Sequence, residues 1–147
     1  MRLLEKIIAE MHLSMKSGHR EKASALRTLV SKLKDQEIKL RKEISDEEIF
    51  KVIKTLVKQR KEAAEIYFNA GRLELSEKEN FEIKVLIKYI PEPMSEKDTL
   101  NLIKKIVEET NAKDLSDIGK VMSLVMQKGK GKVDGKRANI ILRSLLE

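Results

Sequence analysis

The stretch YIPEPMSEKD, residues 89–98, holds both prolines of this 147-residue chain, Pro91 and Pro93. Proline lacks a backbone donor and pushes the residue before it away from the α region, so a helix must end here and a short extended segment follow. The stretch therefore divides the chain. Ser95, followed by Glu96, Lys97 and Asp98, is a natural N-cap for the next helix.

Upstream of the prolines, apolar residues recur at helical spacing in four sets. They are Leu3, Leu4, Ile7, Ile8 and Met11; Ala23, Leu26, Val30 and Leu33; Ile49, Val52, Ile53 and Leu56; and Ile83, Leu86, Ile87 and Ile90. Ser45 with Glu48 and Ser76 with Glu79 have the spacing of reciprocal capping boxes. Gly18 and Gly71 mark turns. Downstream, three shorter sets follow: Leu100, Ile103 and Val107; Ile118, Val121, Met122 and Val125; and Ala138, Ile141, Leu142 and Leu145. Asp117 and Asp134 are the expected caps of the last two. Strand alternation is absent. The expectation is an all-α protein: a four-helix domain over residues 1–90, a proline linker at 91–94 and a three-helix tail domain at 95–147.

Composition narrows the chemistry. With no Cys there is no disulfide, thiolate metal site or Cys nucleophile. The two histidines, His12 and His19, stand apart from any Ser, Cys or carboxylate arrangement and are expected at the surface, so neither a metal nor a cofactor is expected. Aromatic residues are 3% of the chain, too few for base-stacking sheets. No apolar run has the length of a membrane span, and the amphipathic, acid-containing start is unlike a signal peptide, which points to a cytoplasmic protein. Acids such as Glu62, Glu65 and Glu74 sit among cations, and no paired-carboxylate catalysis is indicated.

The net charge is +7, and a basic chain favours polyanionic partners. Its excess is uneven. Between residues 32 and 61 ten Lys or Arg face six acids, densest at Lys58, Arg60 and Lys61. Residues 120–143 are more skewed: Lys120, Lys128, Lys130, Lys132, Lys136, Arg137 and Arg143 stand against Asp134 alone. Within them, GKGKVDGKRA lacks the spacing, the hydroxyl residue and the preceding strand of a phosphate-binding P-loop. A charged turn and a phosphate-contacting loop both remain open on this reading. In the second, Gly131 and Gly135 let a sugar-phosphate chain approach while lysines and a helix N-terminus supply positive potential.

Four motifs in register give the chain a resemblance. ALRTLVSKLKDQEI (25–38), KQRKEAAEIYFNAGR (58–72), YIPEPMSEKD (89–98) and DIGKVMSLVM followed by GKVDGKRAN (117–139) are similar to the GatB/YqeY family along the whole chain. The resemblance implies a stand-alone relative of the tail region of the B subunit of glutamine-dependent aminoacyl-tRNA amidotransferase, a carbon-nitrogen ligase. That tail is a helical, tRNA-contacting appendage, and the amidation site lies elsewhere in the enzyme. Matching positions are Asp117, Gly119, Lys120, Val121, Met122, Gly131, Lys132, Asp134, Gly135 and Lys136. By resemblance, Lys120, Lys132 and Lys136 contact phosphate, Asp117 and Asp134 cap helices, and Val121 and Met122 are buried. The expected partner is tRNA or a tRNA-like RNA, with no catalysis by the chain alone. An accessory role in an amidotransferase complex, with that enzyme or a synthetase as partner, and a protein-interaction adaptor are the alternatives.

Overall fold

A computed structural model describes residues 1–147 as seven α-helices joined by turns, without a β-strand. The helices are α1 (Leu3–Lys16), α2 (Arg20–Leu40), α3 (Asp46–Asn69), α4 (Leu73–Ile87), α5 (Glu96–Thr110), α6 (Ile118–Gly129) and α7 (Gly135–Leu146). They fall into two compact units, Met1–Ile90 with α1 to α4 and Pro91–Glu147 with α5 to α7. No helix is long and apolar enough to cross a membrane.

In the first unit the aliphatic stripes meet in one core, where Ile7, Leu26, Leu29, Leu33, Ile49, Ile53 and Leu86 are essentially without exposed surface. Ser45 Oγ accepts the Glu48 amide at 3.2 Å and caps α3. The reciprocal bond is missing, because the Glu48 carboxylate turns to Lys42 Nζ at 3.4 Å. Gly18 and Gly71 adopt φ of +77° and +75°, the turn conformations that favour glycine.

The start of α4 differs from the expected one. The helix begins at Leu73, a turn ahead of Ser76, and Ser76 is no N-cap. It is buried, and its hydroxyl donates to the Ala64 carbonyl at 2.8 Å, joining α4 to α3. A serine followed by glutamate three residues later fits a capping box and a helix interior alike. Packing of α4 along α3 selects the second. The helix then buries Glu82 and Val85 beside Ile83 and Leu86, and leaves Ile87 exposed.

A carboxylate clip closes the other end of this unit. Glu37, near the end of α2, accepts the Ile44 amide at 3.0 Å and Arg2 Nη2 at 2.8 Å. These contacts, the Ile44 amide first, hold its carboxyl below the usual carboxylate range. One side chain thereby ties the α2–α3 connection to the start of α1.

The second unit has its own core of Ile103, Ile106, Val121, Val125, Val133, Ala138 and Leu142. Ser95 Oγ accepts the Asp98 amide at 3.1 Å and caps α5 as expected. Asp117 does not cap α6 with its side chain. Its carboxylate accepts the amides of Lys113 at 2.9 Å and Asp114 at 3.4 Å, fastening a short 3₁₀ turn, Leu115–Asp117, that periodicity does not reveal. In α7 the buried row is Ala138, Leu142 and Leu146, every fourth residue, so Leu145 faces outward.

Candidate nucleic-acid interface

The glycine- and lysine-rich connection from α6 to α7 is ordered by its own sequence. Lys130 follows α6 with φ +48° and Gly131 adopts φ +80°, so two consecutive left-handed residues reverse the chain. Val133 is then turned inward and is only 2% exposed. It sits against the last residue of α6, Gly129, where a Cβ would overlap Val133 Cγ2. The absent side chain of Gly129 therefore makes room for Val133. Backbone bonds complete the loop. Lys132 N donates to Gly129 O at 3.0 Å, and Met94 N donates to Lys132 O at 2.8 Å. Asp134 caps α7 by accepting the Lys136 amide at 3.0 Å.

This frame fixes the lysine positions while leaving their side chains outside. Lys130, Lys132 and Lys136 are exposed and have no carboxylate at ion-pair distance; Lys120, equally exposed and unpaired, lies in the first turn of α6 and is not brought to the loop. Lys128 pairs with Glu109 at 3.2 Å and Arg137 with Glu96 at 3.2 Å. Both pairs are well exposed, and such pairs hold by only about 0–1 kcal/mol, weak enough to exchange for another anion. Lys132, Asp134, Arg137, Glu96 and Thr99 line a cleft of about 240 Å³ at the start of α7. Gly135 does not have to be glycine for packing, since a Cβ there would meet only Met126 Cε at 3.9 Å. Val121 is fully buried, whereas Met122 is half-buried.

Electrostatics of the site follow from helix polarity. Acidic side chains usually occupy a first helical turn, where the dipole is positive. The first turn of α7 carries Lys136 and Arg137 and no acid. Cations there add to the field of the free amides, while the capping Asp134 and Glu96, paired with Arg137, set two carboxylates against them. Asp117 lies near Lys120, but its carboxyl is held below the usual range first by the Lys113 and Asp114 amides, with Lys120 a smaller influence.

On α3 the KQRKE segment divides in two. Lys58 and Lys61 are exposed and unpaired. Arg60 is turned inward: Glu79 Oε2 accepts a hydrogen bond from its Nη1 at 3.1 Å, and Glu82 Oε2 lies 2.6 Å from the same nitrogen. Two carboxylates of α4 thus occupy the guanidinium that charge counting places among free cations. The spacing of Glu82, three and four residues before Val85 and Leu86, is the signal that puts an acid on the buried face. His12 and His19 are both exposed.

Comparison with known proteins agrees with this motif set. The family profile described as Yqey-like protein matches residues 4–146. The chain belongs to the YqeY family. A protein of Schizosaccharomyces pombe described as uncharacterized is 34% identical over 82 residues, covering 56% of this YqeY chain and 67% of that protein.

Proposed function

We propose that this YqeY protein binds tRNA, or a folded RNA like it, through the sugar-phosphate backbone and performs no chemistry by itself. The observation that carries the reading is the α6–α7 loop. Its backbone is held by Val133 and by the Met94 and Lys132 amides, while Lys130, Lys132 and Lys136 remain unpaired in solvent around it and Lys120 stands exposed at the far end of α6. A loop already in shape loses little conformational entropy on binding, and ammonium groups free of acids need not break an existing pair first. The resemblance of DIGKVM and GKVDGK to the amidotransferase B-subunit tail makes tRNA the favoured polyanion.

Titration of labelled tRNA over a salt series tests the reading. Affinity is expected to fall steeply with salt, because each neutralised phosphate releases counterions. The Lys132→Ala, Lys136→Ala double variant should weaken binding to all tRNA sequences alike and reduce the salt slope by about 2. Affinity independent of salt, or a double variant indistinguishable from the parent, is incompatible with phosphate contact at this loop.

A further inference from the structure

The connection from α2 to α3 is short, yet α2 packs chiefly along α1 and α3 along α4. The two helices consequently stand apart enough to leave a groove of about 400 Å³ between them, within the ~300–1,000 Å³ range of small-ligand sites. Val52 and Leu56 supply apolar surface in the groove. Lys32, Asp35 and Gln36 of α2 and Lys51, Thr55 and Gln59 of α3 supply its polar walls, and the Thr55 hydroxyl donates to the Lys51 carbonyl at 3.0 Å. The other five polar side chains have no hydrogen-bond or ion-pair partner in the protein. Asp35 is unpaired although Lys32 and Lys39 stand one helical turn to either side of it.

We infer that this groove receives one unpaired nucleobase carrying an exocyclic amino group, with the flanking phosphates on Lys32 and Lys51. The inference rests on the RNA-binding reading and extends it to a second place on the molecule. Two amides and a carboxylate are the side-chain groups that read a base edge, and an apolar floor is what an unstacked base lies against. Asp35 sets the selectivity. An ionised carboxylate only accepts hydrogen bonds, so it matches the amino group of cytosine or adenine and opposes the carbonyl that uracil presents at the same position. The same carboxylate opposes an acidic peptide, the other ligand that two lysines would attract.

Oligocytidylate and oligouridylate of equal length carry the same backbone charge and differ at the group Asp35 would meet. Their binding to the full chain, followed by fluorescence anisotropy at low salt, is expected to favour oligocytidylate about tenfold. Asp35→Asn should erase that preference, since an amide presents both a donor and an acceptor. Lys51→Ala should weaken both oligomers equally and keep their ratio. Asp35 and Lys51 are exposed and make no contact that folding needs, and circular dichroism of each variant verifies this. Equal binding of the two oligomers, a preference that survives Asp35→Asn, or displacement of oligocytidylate by polyglutamate each overturns the inference. Salt-dependent tRNA binding sensitive to Lys132 and Lys136, without any cytidylate preference, overturns the groove alone. Loss of all RNA binding overturns the groove and the phosphate-binding loop together.

Discussion

Arg60→Ala is expected to destabilise the first unit by about 1–3 kcal/mol, the usual cost of leaving a buried polar group, here the Glu82 carboxylate, without its partner. The side chains of Arg60, Glu79 and Glu82 are 22%, 18% and 8% exposed, and the guanidinium is the cation that separates the two acids. Without it, the buried Glu82 carboxylate faces half-buried Glu79 with no cation between them. Burial already holds the Glu82 carboxyl above its ordinary range, Arg60 opposes that rise, and Glu79 adds to it. A folded-state pKa above the unfolded one means that the native protein binds the extra proton, so stability is lost as pH rises from the unfolded value through the folded one. Removing Arg60 widens that window. Urea unfolding should therefore show a larger loss at neutral pH than near pH 4, and Glu82→Gln in the Arg60→Ala background should recover part of the neutral-pH loss. A change below about 1 kcal/mol, or one indifferent to pH, would mean that the cluster is not holding α3 to α4. On the proposed RNA-binding function, affinity per folded molecule should stay close to that of the parent, because the Arg60 guanidinium is turned to Glu79 and Glu82.

Gly129→Ala is the second large effect, and its sign runs against helix propensity. Alanine is ordinarily the better helix residue by about 1 kcal/mol. Here the new methyl group would enter the space of buried Val133, so Val133 or the loop that carries it must shift. The expected result is a loss of about 1–3 kcal/mol in the second unit. Thermal unfolding followed through amide signals of α6 and α7 measures it. Val133→Ala removes the Cγ2 atom in conflict, so the two substitutions should be strongly non-additive, with the double variant less damaged than the sum of the singles. Stabilisation by Gly129→Ala would show instead that the loop gives way freely.

The helical organisation was legible because it rests on periodicity and punctuation. Ile49 with Ile53 and Leu26 with Val30 and Leu33 announce buried faces, and Pro91 with Pro93 can only end a helix. Ser45, Ser95 and Asp134 were readable as caps because each precedes its helix and accepts one of that helix's first free amides. Ser76 and Asp117 were not, since the same residue types bond equally well to a neighbouring helix or a turn, and only packing decides between these uses. The candidate site was legible as a local excess of cations. Which of those cations are free was not, because that depends on acids distant in the chain: Glu79 and Glu82 reach Arg60, and Glu109 reaches Lys128. The role of Gly129 was hidden for the same reason. Its need to be glycine comes from a valine four residues on, after the chain has turned back.

The bond from the Met94 amide to the Lys132 carbonyl also bears on digestion. A trypsin-like enzyme needs several residues drawn out straight across its cleft, and lysines at 128, 130 and 132 would look like the easiest place to cut. With that peptide tethered at 2.8 Å and Val133 tucked beneath it, the segment cannot be drawn out unless the unit first opens. The rate of scission after Lys132 should therefore report how often this small unit comes apart.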